Sequence, residues 1–163
     1  MDFLEDNQIC AWAEEHGLEP GQGSQVNLPA LPSVYRREYA NGRRSGDERS
    51  AVHDLIQRLG AWDECLVLIT EWGVWPSGED WPAFYAWRGA LGERRSIEVA
   101  SGHRFGHDEA DLLLQLLTMI TQNAWDADIL WSKDGRATGT RGKISHDEWY
   151  EVLRGPDYGV TTG

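Results

Sequence analysis

The sequence predicts an α/β fold: a three-layer sandwich around a mixed sheet of about four strands, three parallel plus one antiparallel hairpin strand, with an N-terminal helical arm. Three observations predict it. Glu64–Thr70 (ECLVLIT) is a short, unbroken apolar run rich in branched residues, the pattern of a strand buried on both faces. From Ser45 onward helix-like and strand-like segments alternate, and strand–helix–strand units ordinarily build parallel sheets with crossover helices. Ser132–Arg136 (SKDGR) sets Asp134-Gly135 between two strand-like segments, and this dipeptide supplies the positive φ that a tight hairpin needs.

Taken in order, Asp2–His16 reads as an amphipathic helix closed by Gly17, and Leu18–Ser33, with three prolines, reads as a loop or arm. Val34–Arg44 has the composition for one or two helical turns before Asn41-Gly42. Within it, LPSVY (Leu31–Tyr35) is similar to an LPxxY element of a toxin-immunity protein family. Nothing downstream follows that family's pattern, and no role is carried over from it. Ser45–Glu48 (SGDE) reads as a capping box, with Val52, Leu55, Ile56 and Leu59 at helical spacing behind it and Gly60 at the end. After the first strand the pattern predicts a helix from about Gly78 to Leu91, with Pro82 tolerated in its first turn.

Arg95–Ser101 (RSIEVAS) reads as the second strand. Asp108, Glu109 and Asp111 suit the first turn of the following helix, whose Leu112–Ile120 is apolar on nearly every side and so needs cover on more than one. Ala127–Trp131 reads as the third strand, and Ala137–Ile144 as a polar edge strand protected by Arg141 and Lys143. Ser145 with Glu148 forms a second capping-box pattern, stapled by Ile144 and Trp149, which predicts a final helix ending at Gly155-Pro156. The expected organisation is a helix and Pro/Gly-rich arm over residues 1–44 packed on an α/β domain over 45–155, with a loose tail over 156–163.

The 163 residues fit one domain, and 40% hydrophobic content is enough for a packed core. The net charge of −12 repels phosphate backbones and anionic bilayers, so neither nucleic acid nor membrane is expected as a partner. It favours a basic protein partner or simply keeps the protein in solution, and association into a homo-oligomer is compatible with it. The acid is uneven: residues 1–35 hold six carboxylates and no lysine or arginine, while Arg36–Arg49 holds five arginines. Cys10 and Cys65 form neither a metal motif nor a disulfide framework. The first residues lack a signal-peptide pattern, and Leu112–Ile120 falls far short of the ~20 residues of a spanning helix, so a cytoplasmic location is expected.

No phosphate loop, dinucleotide fingerprint or nucleophile elbow is present. In a parallel sheet, ligands bind outside the carboxyl ends of the strands. That rule gathers three loops and a candidate binding set of Glu71, Trp72, Trp75, His103, Arg104, His107 and Lys133 on one edge. Trp62 and Trp125, each just before a strand, are expected on the opposite edge. Glu71–Trp87 holds four of the nine tryptophans. Trp72 and Trp75 either roof the strand edge or form a contact surface, since aromatics concentrate interface energy. His103 and His107, four apart, invite comparison with a zinc site, but no HExxH-like pattern supports one, and neither a metal, a cofactor nor a catalytic residue is expected.

The leading expectation is a non-catalytic cytosolic binding protein with an acidic, tryptophan-bearing surface, of which an inhibitor or immunity-type protein is one version. Catalysis is the lesser expectation: a small hydrolase-like or metal-binding enzyme using Glu71, His103 and His107, with Glu71 and His103 as an acid–base pair.

Overall fold

The computed structural model describes residues 1–40 and 47–155. The Ser45 capping box, Arg43, Arg44 and the expected tail over 156–163 lie outside the described residues. The elements are β1 (Asp2–Leu4), α1 (Asp6–Glu15), β2 (Glu19–Pro20), β3 (Val26–Asn27), β4 (Ser33–Glu38), α2 (Asp47–Leu59) and β5 (Glu64–Glu71). They continue as α3 (Trp81–Ala90), β6 (Gly102–Gly106), α4 (Ala110–Gln122), β7 (Asp126–Lys133), β8 (Arg136–Ser145) and β9 (Trp149–Arg154).

Seven strands form one sheet in the order β1-β6-β5-β7-β8-β9-β4, with β2 and β3 as a separate two-stranded ribbon. Every neighbouring pair is antiparallel. This overturns the expected four-stranded, mainly parallel sheet. The reason lies in β6 and β7. Both run opposite to β5, one on each side of it, so they are parallel to each other, and α4 joins them. The crossover that alternation predicts therefore exists, but β5 is inserted between the two strands it links.

The link from β5 to β6 does not cross the sheet. Gly102, the first residue of β6, pairs with Leu68 near the end of β5. Arg95–Ser101 is not a strand: Ile97–Val99 forms a turn in which Ile97 is buried and Val99 is 48% exposed. The segment is pinned by side chains instead, with Arg88 donating to the carbonyls of Ala100 and Arg95, and the Ile97 amide donating to the Tyr85 hydroxyl.

The predicted last helix is a hairpin. His146–Glu148 forms the turn, with Glu148 at φ +62°, and β9 follows. Ser145 caps no helix, but its hydroxyl accepts from the Asp147 amide. Trp149–Arg154 alternates: Tyr150 and Val152 are buried while Trp149 and Glu151 are only half-buried, which is strand periodicity. β8 is consequently not an edge; β9 covers it, and β4, expected as helical turns, covers β9. At the other edge, β1 takes the first residues of the expected N-terminal helix. α1 starts at Asp6, where Gln8 reaches back to the Glu5 amide.

The sheet is covered on both faces around β5, because strands with apolar residues at consecutive positions need cover on each side. Val67 and Ile69 face α2, α3 and α4, together with Phe105, Ile129, Trp131 and Tyr150. Leu66, Leu68 and Leu130 face α1, against Ile9, Trp12 and Ala13. Val67, Leu68 and Ile69 are 0%, 4% and 3% exposed, as the apolar run predicts. Two glycines permit the close approach of helix to sheet. A Cβ at Gly102 would lie 2.8 Å from Ile9 of α1, and one at Gly142 would lie 3.2 Å from Leu55 of α2.

Candidate functional site

The antiparallel register decides which loops meet. Glu71 pairs with Asp126 at one end of the sheet, whereas Gly106 pairs with Glu64 at the other. Glu71, Trp72 and Trp75 thus belong to the first end. His107 and Lys133 belong to the second, where the His107 ring meets Trp62 at 5.3 Å and Lys133 pairs with Arg136. Trp62 and Trp125 are separated in the same way, Trp62 stacking on Trp131 at the His107 end and Trp125 reaching Glu79 at the Glu71 end.

His103 belongs to neither end. It sits mid-strand opposite Val67, fully buried, with its Nε2 3.1 Å from Nη1 of Arg88. Burial, and then the Arg88 charge, press its pKa down to about 3, so it is neutral at physiological pH. Its rings for neighbours are Phe3, Phe84 and Trp87. Arg88 is itself fully buried, its guanidinium over the rings of Phe3 and Phe84, and burial lowers its pKa. Arg104 is part-exposed on the strand's other side and forms an ion pair with Asp2 at 2.5 Å. Glu71, His103 and His107 therefore form no common cleft, and Glu71 and His103 make no acid–base pair.

What the structure does assemble is the Glu71 end. The loop between β5 and α3 is organised by one carboxylate. Glu79 accepts from the Gly73 amide at 2.7 Å, from Trp125 Nε1 at 3.0 Å and from Trp81 Nε1 at 2.8 Å. Gly73, at φ +80°, gives the chain the left-handed turn that brings its amide there. Asp80 then caps α3 by accepting from the Ala83 amide, and its own amide donates to Asn123. Beneath the loop, Trp81, Phe84 and Trp125 pack with ring centroids 4.7–6.0 Å apart. The tryptophan-rich stretch is thus mostly core: Trp81, Trp87 and Trp72 pack on it, and Trp75 alone of the four stands 58% exposed.

Beside this loop, the turn between β8 and β9 brings His146 against Asp126. Asp126 Oδ1 accepts from the His146 amide at 2.6 Å and lies 2.8 Å from its Nδ1, while Glu71 Oε2 lies 3.7 Å from the same nitrogen. The strand register slips between Ile69 and Glu71, which aligns Glu71 with Asp126. Sequence reasoning missed Asp126 and His146. Asp126 precedes the strand-like run Ala127–Trp131, and His146 sits inside the Ser145–Glu148 capping-box pattern, so neither entered the predicted set. A histidine between two alternating apolar segments, at a hairpin turn rather than a capping box, was the available signal.

No family model, curated protein or solved structure matches the chain. Among the described residues, no helix is long and apolar enough to cross a membrane.

Proposed function

We propose that the protein is a non-catalytic, cytosolic binding protein that holds a basic protein partner against the Glu71 end of its sheet. The observation that carries this reading is Trp75, 58% exposed on a loop that Glu79 fixes in place. A large aromatic held out to solvent on a rigid support is the anatomy of an interface anchor. Its surroundings supply the charge: Glu71, Asp147 and Glu148 are exposed at the same end, within a chain of net charge −12. Such a field speeds encounter with a cationic partner. An inhibitor or immunity-type protein that neutralises a basic toxin is one version of this reading. The competing hydrolase reading has no assembled set of groups, because Glu71, His103 and His107 lie apart.

The test uses an oligo-arginine peptide as the basic probe, titrated into metal-free protein at low and moderate salt. Binding that weakens with salt and falls roughly 30-fold in Trp75→Ala, with an unchanged melting midpoint, supports the reading. Absence of binding, or equal binding by Trp75→Ala, overturns it.

A further inference from the structure

We propose that Glu71, Asp126 and His146 form a binding site for a divalent first-row transition cation. The proposal does not rest on the basic-partner reading. One ligand atom from each of the three residues lies within 4.8 Å of the others. A tetrahedral zinc with bonds of about 2.0–2.2 Å holds its ligand atoms about 3.3–3.6 Å apart. The observed separations from His146 Nδ1, 2.8 Å to Asp126 and 3.7 Å to Glu71, bracket that value. The Glu71 and Asp126 ligand atoms lie within 4.8 Å of each other, so closing on one ion takes side-chain rotation. Each ligand comes from a different place in the sheet: the end of β5, the start of β7 and the β8–β9 turn. The backbone hydrogen bonds between strands thus fix the spacing before any ion arrives.

Charge argues the same way. Among the described residues, neither Glu71 nor Asp126 has an arginine or lysine partner, and the one group that joins them is His146. Two carboxylates that converge without a cation repel each other. A divalent ion relieves this, and the imidazole selects a transition ion over calcium or magnesium, which take oxygen ligands. The histidine also has a carboxylate near its other ring nitrogen. An ion on Nδ1 leaves the ring proton on Nε2, which lies 3.6 Å from Asp147 Oδ1. A side-chain rotation that closes this gap to hydrogen-bond distance would give the imidazole the carboxylate partner that holds the ligating tautomer.

A purely structural reading of the cluster is that Asp126 pins the hairpin turn through the His146 amide and ring. That reading leaves Glu71 only a long contact to the turn, since its half-exposed carboxylate lies 3.7 Å from His146 Nδ1 and makes no hydrogen bond there. Glu71→Gln therefore separates the two. The experiment titrates chelator-treated protein with Co²⁺ and Zn²⁺, reading the visible absorption of bound cobalt and the heat of zinc binding. The wild-type chain is expected to take one equivalent. Glu71→Gln is expected to bind at least about tenfold more weakly, and His146→Ala not at all. His53→Ala and His107→Ala, at exposed histidines elsewhere, are expected to bind like wild type. Absence of one-site binding up to about 1 mM metal overturns the proposal, as does wild-type affinity in Glu71→Gln. If His146→Ala does not fold, Glu71→Gln decides alone. Oligo-arginine binding is measured without metal, so either result can fail while the other stands.

Discussion

Acid should unfold this protein earlier than its carboxylates alone require, and His103 is the reason. In the unfolded chain a histidine titrates near 6.5; buried in β6 beside Arg88 it is held down to about 3. Between those values the unfolded chain binds a proton that the folded chain refuses. Stability therefore rises with pH across this window and is lost as pH falls through it. The full loss, reached only near pH 3, is about 4–5 kcal/mol at 1.36 kcal/mol per unit. The part falling between pH 7 and pH 5 is about 2 kcal/mol, a large fraction of the stability of a domain this size. Glu93 adds acid sensitivity of its own. The Arg95 guanidinium holds it at about 2, so its contribution is lost lower, as pH falls from 4.5 to 2.

The comparison that isolates the histidine is His103→Gln. The amide oxygen can accept from Arg88 where Nε2 did, and nothing in the side chain titrates. Urea unfolding at pH 7, 6 and 5 should show the wild-type and variant free energies converging, with wild type losing about 2 kcal/mol more than the variant. Glu93 and the other carboxylates cancel in that difference. Parallel profiles would refute the reasoning: they would mean that His103 is protonated in the fold or solvated in a way that its burial denies.

Two further outcomes follow from the loop and the turn. Glu79→Ala removes the acceptor for Gly73, Trp81 and Trp125, and leaves the indole N–H of a fully buried tryptophan without its partner. It should cost about 2–4 kcal/mol in urea unfolding and speed proteolysis within residues 72–80, and an unmoved midpoint with the same cleavage rate would contradict the role given to Glu79. Glu148 is exposed and holds φ +62°, where a side chain is strained and glycine is not. Glu148→Gly should therefore raise stability by about 1 kcal/mol, and a lower melting temperature would show that the side chain has a task in the turn.

Much of the fold was legible where a single strand or helix carries its own pattern. The β5 run, the Asp134-Gly135 hairpin, α3 with Pro82 in its first turn, and the apolar α4 all follow from local chemistry. What local chemistry does not carry is direction. A strand buried on both faces looks the same whether its neighbours run with it or against it, and β5 is buried on both faces because α1 covers one side and α2, α3 and α4 the other. The segments misread were those in which side chains satisfy two patterns at once. Ser145 and Glu148 have capping-box spacing, but Tyr150 and Val152 alternate with Trp149 and Glu151, and this strand period lets the segment pair with β8 on one side and β4 on the other, as a helix ending at Gly155-Pro156 would not. Val34–Glu38 was misread for the same reason, since a short polar edge strand is held by its partner and hardly by its own sequence.

The error in direction is also what moved the site. With three parallel strands, Glu71, His103, His107 and Lys133 would have shared an edge by the strand-end rule. With antiparallel strands, each end of the sheet mixes the finish of one strand with the start of the next. The groups that meet Glu71 must then come from where β7 begins and from the far end of the β8–β9 hairpin, that is, from Asp126 and His146. These lie 55 and 75 residues away in sequence, and no motif spacing could link them. The register links them: Glu71 opposite Asp126, Ala127 opposite Ile144, and two residues further the imidazole. The same register buries His103 opposite Val67 and sends His107 to the other end. One fact of topology therefore removes the predicted constellation and supplies another. The supplied one has the converging carboxylates, the imidazole and the rigid frame that a cation site requires, beside the exposed tryptophan on which the binding reading rests.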